Sequence, residues 1–185
     1  MTKQTDITAK LTELGFALEI KSGPTGKFEN DWPAIAFGVA LLFKGKLVLE
    51  TEYSLGIGHV DIKKARPDSI MGGWTSAEQS MLYAWHSNPS VRFKDEGVRA
   101  KIAAKLAKQQ GVRPELDSVV HSLLMDGEAF FNAQSFEDWA GDFGYDSDSR
   151  KAEAIYRACD SIGRKLSAHI PKTVLGEARE LTQDI

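Results

Sequence analysis

Residues 35–43 are almost wholly apolar, residues 47–53 follow them, and only Lys44-Gly45-Lys46 stands between the two runs. Two strand-forming runs joined by so short a glycine-bearing link are read as an antiparallel β-hairpin with Gly45 in the turn. In the second strand Leu47, Leu49 and Thr51 are expected on one face and Val48, Glu50 and Glu52 on the other, because successive side chains alternate. One face is therefore read as apolar and the other as largely wet. Ahead of the hairpin, Ile7, Leu11 and Leu14 recur at helical spacing and Gly15 supplies a stop, so a short helix is expected over 6–14. Residues 16–20 read as an edge strand. Residues 21–31, with Gly23, Pro24 and Gly26, read as a loop.

Beyond Ser54 the character changes. Gly56, Gly58, Pro67, Gly72 and Gly73 punctuate a long connection. Thr75 and Glu78 form a capping-box pattern, opening a helix that runs to about His86 and stops at Asn88-Pro89. A longer helix is expected over 94–110, with Val98, Ile102 and Leu106 as its stripe and Gly111 as its end. Pro114 suits the first turn of the next helix, whose buried face is Leu116, Val119, Val120, Leu123 and Leu124. Ser135 caps a short helix bearing Phe136, Trp139 and Phe143. Ser147 or Asp148 opens another, with Ala154, Ile155, Ala158, Ile162 and Leu166 as core positions, and Pro171 breaks the chain before a terminal helix. Strands first and helices later give an α+β protein: an N-terminal antiparallel hairpin or small sheet packed against a C-terminal helical bundle. The expected segments are 1–60 (helix and sheet), 61–112 (helical insertion) and 113–185 (C-terminal helices), together one compact unit.

Composition excludes several classes. The chain is 42% hydrophobic and 26% charged, ordinary for a soluble globular protein. No stretch approaches the roughly 18 apolar residues of a membrane-spanning helix. Lys3, Asp6, Lys10 and Glu13 interrupt any apolar signal core. Cys159 is the only cysteine, so neither an intrachain disulfide nor a thiolate zinc site is expected, and a reducing cytoplasm is the natural compartment. The net charge of −3 is uneven: residues 61–125 carry +3 and residues 126–153 carry −6. Such a field steers association and deters wrong partners.

Fragments that imitate catalytic motifs fail on their neighbours. Gly23-Pro24-Thr25-Gly26-Lys27 would need a glycine where Lys21 stands and a hydroxyl where Phe28 stands to be a phosphate loop. Gly56-Ile57-Gly58 has Asp61 in place of the third glycine of a dinucleotide turn. His59, His86, His121 and His169 lack metal-ligand spacing, and no serine sits in a GxSxG elbow. Asp142, Asp146, Asp148 and Glu153 match part of a calcium loop, but Gly144 occupies an oxygen-ligand position and Ser147 stands where glycine permits the turn. Carboxylates just ahead of a helix are accounted for by its exposed N–H groups. No enzyme, metal or cofactor is expected on these grounds, with a metal-dependent hydrolase built on Asp142, Asp146 and Asp148 as an alternative.

Arg99, Lys101, Lys105, Lys108 and Arg113 crowd one stretch, with Arg92 and Lys94 before it, and Lys101, Lys105 and Lys108 share a helical face. The turn Gln109-Gln110-Gly111-Val112 into another helix is similar to a helix-turn-helix. Asp117 then falls where an apolar residue should pack, and Glu115 and Asp117 would face phosphates. Binding of nucleic acid through this basic helix is therefore an alternative reading.

Residues 117–127 (Asp-Ser-Val-Val-His-Ser-Leu-Leu-Met-Asp-Gly), then Ser135-Phe136-Glu137-Asp138-Trp139, then residues 143–152 (Phe-Gly-Tyr-Asp-Ser-Asp-Ser-Arg-Lys-Ala), ending near Tyr156 and Cys159, carry a resemblance. The chain resembles a family of small bacteriophage proteins in which a β-hairpin ending in Tyr, Gly, Gly and His precedes the helical part. Tyr53, Gly56, Gly58 and His59 look like that ending. The likeness covers about half the chain, and residues from about Asp61 to Gln110 look like an insertion. It implies phage or prophage origin, hence the cytoplasm of a bacterial host, and supplies no reaction. The expected function is a non-enzymatic accessory protein that binds a host protein or protein–nucleic acid complex. An inhibitor of a host defence, of anti-CRISPR or anti-restriction type, or of a host nucleic-acid machine is the favoured class. The expected contact residues are Trp139, Asp142, Phe143, Tyr145, Asp146 and Asp148, aromatic anchors ringed by charge.

Overall fold

Lys44 and Gly45 both take positive φ, 48° and 75°, the pair that a two-residue hairpin turn of matching twist requires. In the computed structural model, which describes residues 3–29, 32–65, 73–91 and 95–183, this turn joins β2 (Trp32–Phe43) to β3 (Lys46–Gly56). β1 (Phe16–Glu29) precedes them, and the three form an antiparallel sheet in the order β1-β2-β3. α1 (Lys3–Leu14) comes first in the chain. The helices α2 (Ser76–Ser87), α3 (Glu96–Gln110), α4 (Leu116–Asp126), α5 (Glu128–Phe131), α6 (Phe136–Asp142), α7 (Arg150–His169) and α8 (Lys172–Thr182) follow the sheet. The protein is α+β, as its order of strands and helices indicates. Pro67, Gly72, Arg92 and Lys94, named above, lie outside the described residues.

Two strand expectations need correction. Residues 21–29, read as a loop, continue β1. Pro24 is tolerated there because β1 is an edge strand, where a missing N–H breaks no ladder on the open side. In β3 the expected faces do not hold at the start: Leu47 is exposed while Val48 and Leu49 are both buried. Alternation sets in only from Leu49, with Thr51 and Tyr53 half-buried and Glu50, Glu52 and Ser54 exposed.

The residues gather into two compact units. One comprises Met1–Glu19, Ala40–Thr51 and Glu115–Ile185; the other comprises Ile20–Val39 and Glu52–Pro114. Segment 61–112 thus lies wholly in the second unit, nearly all of 113–185 lies in the first, and 1–60 is shared.

In the first unit α1 packs on α4 and α8, and α5 and α6 pack on α7. Leu11, Phe16, Leu41, Val119, Val120 and Leu166 are fully buried, and the rings of Phe16 and Phe43 meet edge to face at 5.4 Å. Pro114 stands before the N-cap Glu115 rather than inside the first turn of α4. α7 opens on Ser149, whose Oγ accepts the Ala152 N–H, rather than on Ser147 or Asp148. Its buried face is also rotated from the expected one: Ala154 and Ala158 are exposed, and Ala152, Gly163 and Leu166 are buried. The contact centres on Gly163, where a Cβ would lie 2.5 Å from the Phe130 Cβ. A helix meets its neighbour most closely where it lacks a side chain.

In the second unit the capping box of α2 is complete: Thr75 Oγ1 accepts the Glu78 N–H and the Glu78 carboxylate accepts the Thr75 N–H. α3 is buried more broadly than its apolar stripe, because Ala100, Ala103, Ala104 and Ala107 join Ile102 and Leu106. The Gln110 side-chain amide pairs with the Asp61 backbone in both directions, at 2.9 and 3.0 Å. Lys105 donates to Glu78 at 2.7 Å. Burial pushes the Glu78 carboxyl up, but the bonds from Lys105 and Thr75 outweigh it and hold the group below the usual range. Glu78→Ala should therefore lose about 1–2 kcal/mol at neutral pH, a capping bond and a part-exposed ion pair together. A lowered folded value makes this stabilisation present above the ordinary glutamate range and lost as pH falls through the folded one. Urea unfolding of both proteins at neutral and strongly acidic pH should show the gap narrowing in acid.

Candidate protein-binding surface

Ser135 starts α6, its Oγ accepting the Asp138 N–H at 3.1 Å. The helix is too short to be stable alone, and its end is fixed by local chemistry. Gly144 takes the left-handed conformation, φ 70°. The Tyr145 N–H reaches back to the Ala140 carbonyl at 2.8 Å and the Gly144 N–H to the Gly141 carbonyl at 3.3 Å. These are the two bonds of a Schellman cap, and such a cap brings the residue after the glycine against the last turn of the helix. Here Tyr145 lands on Trp139: the rings are parallel within 8° with centroids 5.2 Å apart. Phe143 leans on the same indole at 5.2 Å, and Tyr156 of α7 meets it at 5.6 Å.

Trp139, grouped by sequence with the contact residues, is instead their floor. It is 5% exposed and belongs to a core with Ala129, Ala140, Phe136, Ile155 and Tyr156. Phe143 is 61% and Tyr145 43% exposed, and every residue from 141 to 148 is exposed. Two rings are thus displayed to solvent on a buried third. Gln134 ties this surface to α7: its carbonyl accepts the Tyr156 hydroxyl at 2.7 Å, and its amide donates to Asp142 at 2.8 Å. Asp146 Oδ1 accepts the Asp148 N–H at 3.0 Å and its carbonyl accepts the Ser149 N–H at 3.0 Å. The chain between the two helices is therefore a sequence of fixed turns. Asp142, Asp146 and Asp148 all face solvent around the rings. Among the described residues no three His, Cys, Asp or Glu side chains converge as a metal would require.

The basic helix is less free than its sequence. Lys105 is engaged by Glu78, the Gly73 carbonyl and the Trp74 ring. Arg99 lies 4.8 Å over the Trp85 ring and donates to the Pro89 carbonyl. Lys101, Lys108 and Arg113 are exposed. Sequence spacing showed the shared face of Lys101, Lys105 and Lys108 but not Glu78, a partner 27 residues away. Asp117, read above as facing phosphates, is fully buried, with Oδ1 on the Ser118 N–H and hydroxyl and Oδ2 unbonded.

Cys159 is half-buried, and burial together with the nearby Asp126 charge pushes its thiol up. That is opposite to what a nucleophilic thiolate needs. Loss of hydration likewise pushes the Asp126 carboxyl up.

No family model, curated protein or solved structure matches the chain. No helix among the described residues is long and apolar enough to cross a membrane.

Proposed function

We propose that this chain is a non-enzymatic phage accessory protein that works by binding another protein through the surface at 141–148. The target class is a host defence system, of CRISPR or restriction type, or another host nucleic-acid machine. The observation that carries this reading is the pair Phe143 and Tyr145, exposed yet stacked on buried Trp139. A solvent-facing ring already held in place loses little conformational freedom on association, which is what a binding anchor requires. Asp142, Asp146 and Asp148 around it favour a basic partner face, such as a groove that otherwise holds nucleic acid. The working compartment is the cytoplasm of the host.

Affinity capture from host lysate, with the wild-type chain and a Phe143→Ala/Tyr145→Ala variant, tests it. Loss of about 2 kcal/mol or more per anchor is expected for a protein captured by the wild type. Circular dichroism should be unchanged, because both rings lie above the core. Equal capture by the variant, or none by either, overturns the reading. A second reading, phosphate binding by Lys101, Lys108 and Arg113, is favoured only by the exposure of these three groups. It requires affinity for nucleic acid that falls steeply with salt and is lost on charge reversal of Lys101.

A further inference from the structure

We propose that the first unit also binds a small amphipathic carboxylate, an acid with an acyl body, in a groove along α8. This goes beyond the protein-binding reading and uses other residues. A cavity of about 480 Å³ opens there, within the size range of small-molecule sites. Its floor is apolar: Leu124, Ile170 and Leu175 are buried, and Phe130 contributes a ring. Gly176 lines it too, and a Cβ built on Gly176 meets nothing within 4 Å. The absent side chain therefore leaves room instead of serving a close helix contact.

The charges lining the groove have one sign. Among the described residues Lys172 and Arg179 are the only charged groups lining it, in a chain whose net charge is −3. They stand seven positions apart on α8, about 10 Å along the axis. Arg179 is paired with Glu128, whereas Lys172 has no ion pair among the described residues. Lys172 is the first residue of α8, preceded by Pro171, which offers no side-chain acceptor, and the first turn holds no acid. A cation beside uncapped N–H groups is unfavourable by itself and favourable to an anion. A carboxylate seated on Lys172, with its chain running past Leu175 and Gly176 over Phe130, satisfies both parts of the groove.

Calorimetric titration of the whole chain with dodecanoate below its micelle concentration tests the site. Saturable one-to-one binding is expected, weakened on the order of ten-fold by Lys172→Met. Gly176→Leu should abolish binding by filling the groove, while the helical circular-dichroism signal and melting temperature hold or rise. 1-Dodecanol should bind on the order of ten-fold more weakly than dodecanoate. No binding of dodecanoate, unchanged binding to either variant, or equal binding of the alcohol overturns the proposal. Any of these results leaves the behaviour of the Phe143→Ala/Tyr145→Ala variant unaffected, so the two readings fail separately.

Discussion

Trp139→Ala is expected to lower the unfolding free energy by about 3–5 kcal/mol, the cost of removing a large buried ring and leaving its space unfilled. The indole is in contact with the rings of Phe136, Phe143, Tyr145 and Tyr156, and each loses its neighbour at once. Collapse around the void is limited because α6 is pinned at both ends, by Ser135 and by the Gly144 cap. Phe143→Ala removes a ring that is mostly in water and should cost less than about 1 kcal/mol. The contrast separates support from display. Urea unfolding followed by circular dichroism measures both, and hydrogen exchange should show the protection loss in α5 and α6. A Trp139→Ala cost no larger than that of Phe143→Ala would mean that the ring stack is not part of the core. Tyr145 and Phe143 would then lack the fixed floor on which the binding surface depends.

What the sequence disclosed was mostly what is decided locally. The β2–β3 hairpin follows from two apolar runs and a glycine turn, and the N-cap at Ser135 and the capping box at Thr75 and Glu78 are written within four residues each. What it hid depends on groups distant in the chain. The face of α7 is set by how closely Gly163 meets Phe130, and the freedom of Lys105 by Glu78. The aromatic cluster at 136–145 was legible as a cluster, but composition does not say which ring is floor and which is surface. One signal that answers this is present in the order Phe143-Gly144-Tyr145. A glycine just past a helix, followed by an apolar residue, folds that residue back on the last turn and so buries what lies there.

Where β1 continues past Gly23 and Pro24, local and tertiary chemistry disagree. By sequence alone Gly26 reads as a loop residue. In the structure a Cβ at Gly26 would lie 2.5 Å from the Ala100 carbonyl carbon and 2.5 Å from the Lys101 nitrogen, both backbone atoms of α3. Backbone inside a helix cannot rotate aside as a side-chain tip can. Gly26→Ala must therefore push strand and helix apart, at a cost of about 2–3 kcal/mol. Gly56→Ala is the matched control: Gly56 has an ordinary φ of −63°, and nothing lies within 4 Å of an added Cβ. That change should fall within about 0.5 kcal/mol of neutral. Urea unfolding of the two variants gives the comparison, and hydrogen exchange should place the extra opening of Gly26→Ala in α3. If both variants are equally mild, β1 does not run against α3 at Gly26. The glycines and proline of 21–31 would then mean what their chemistry says in isolation, a loop, and α3 would need another surface on which to bury Ala100 and Ala103.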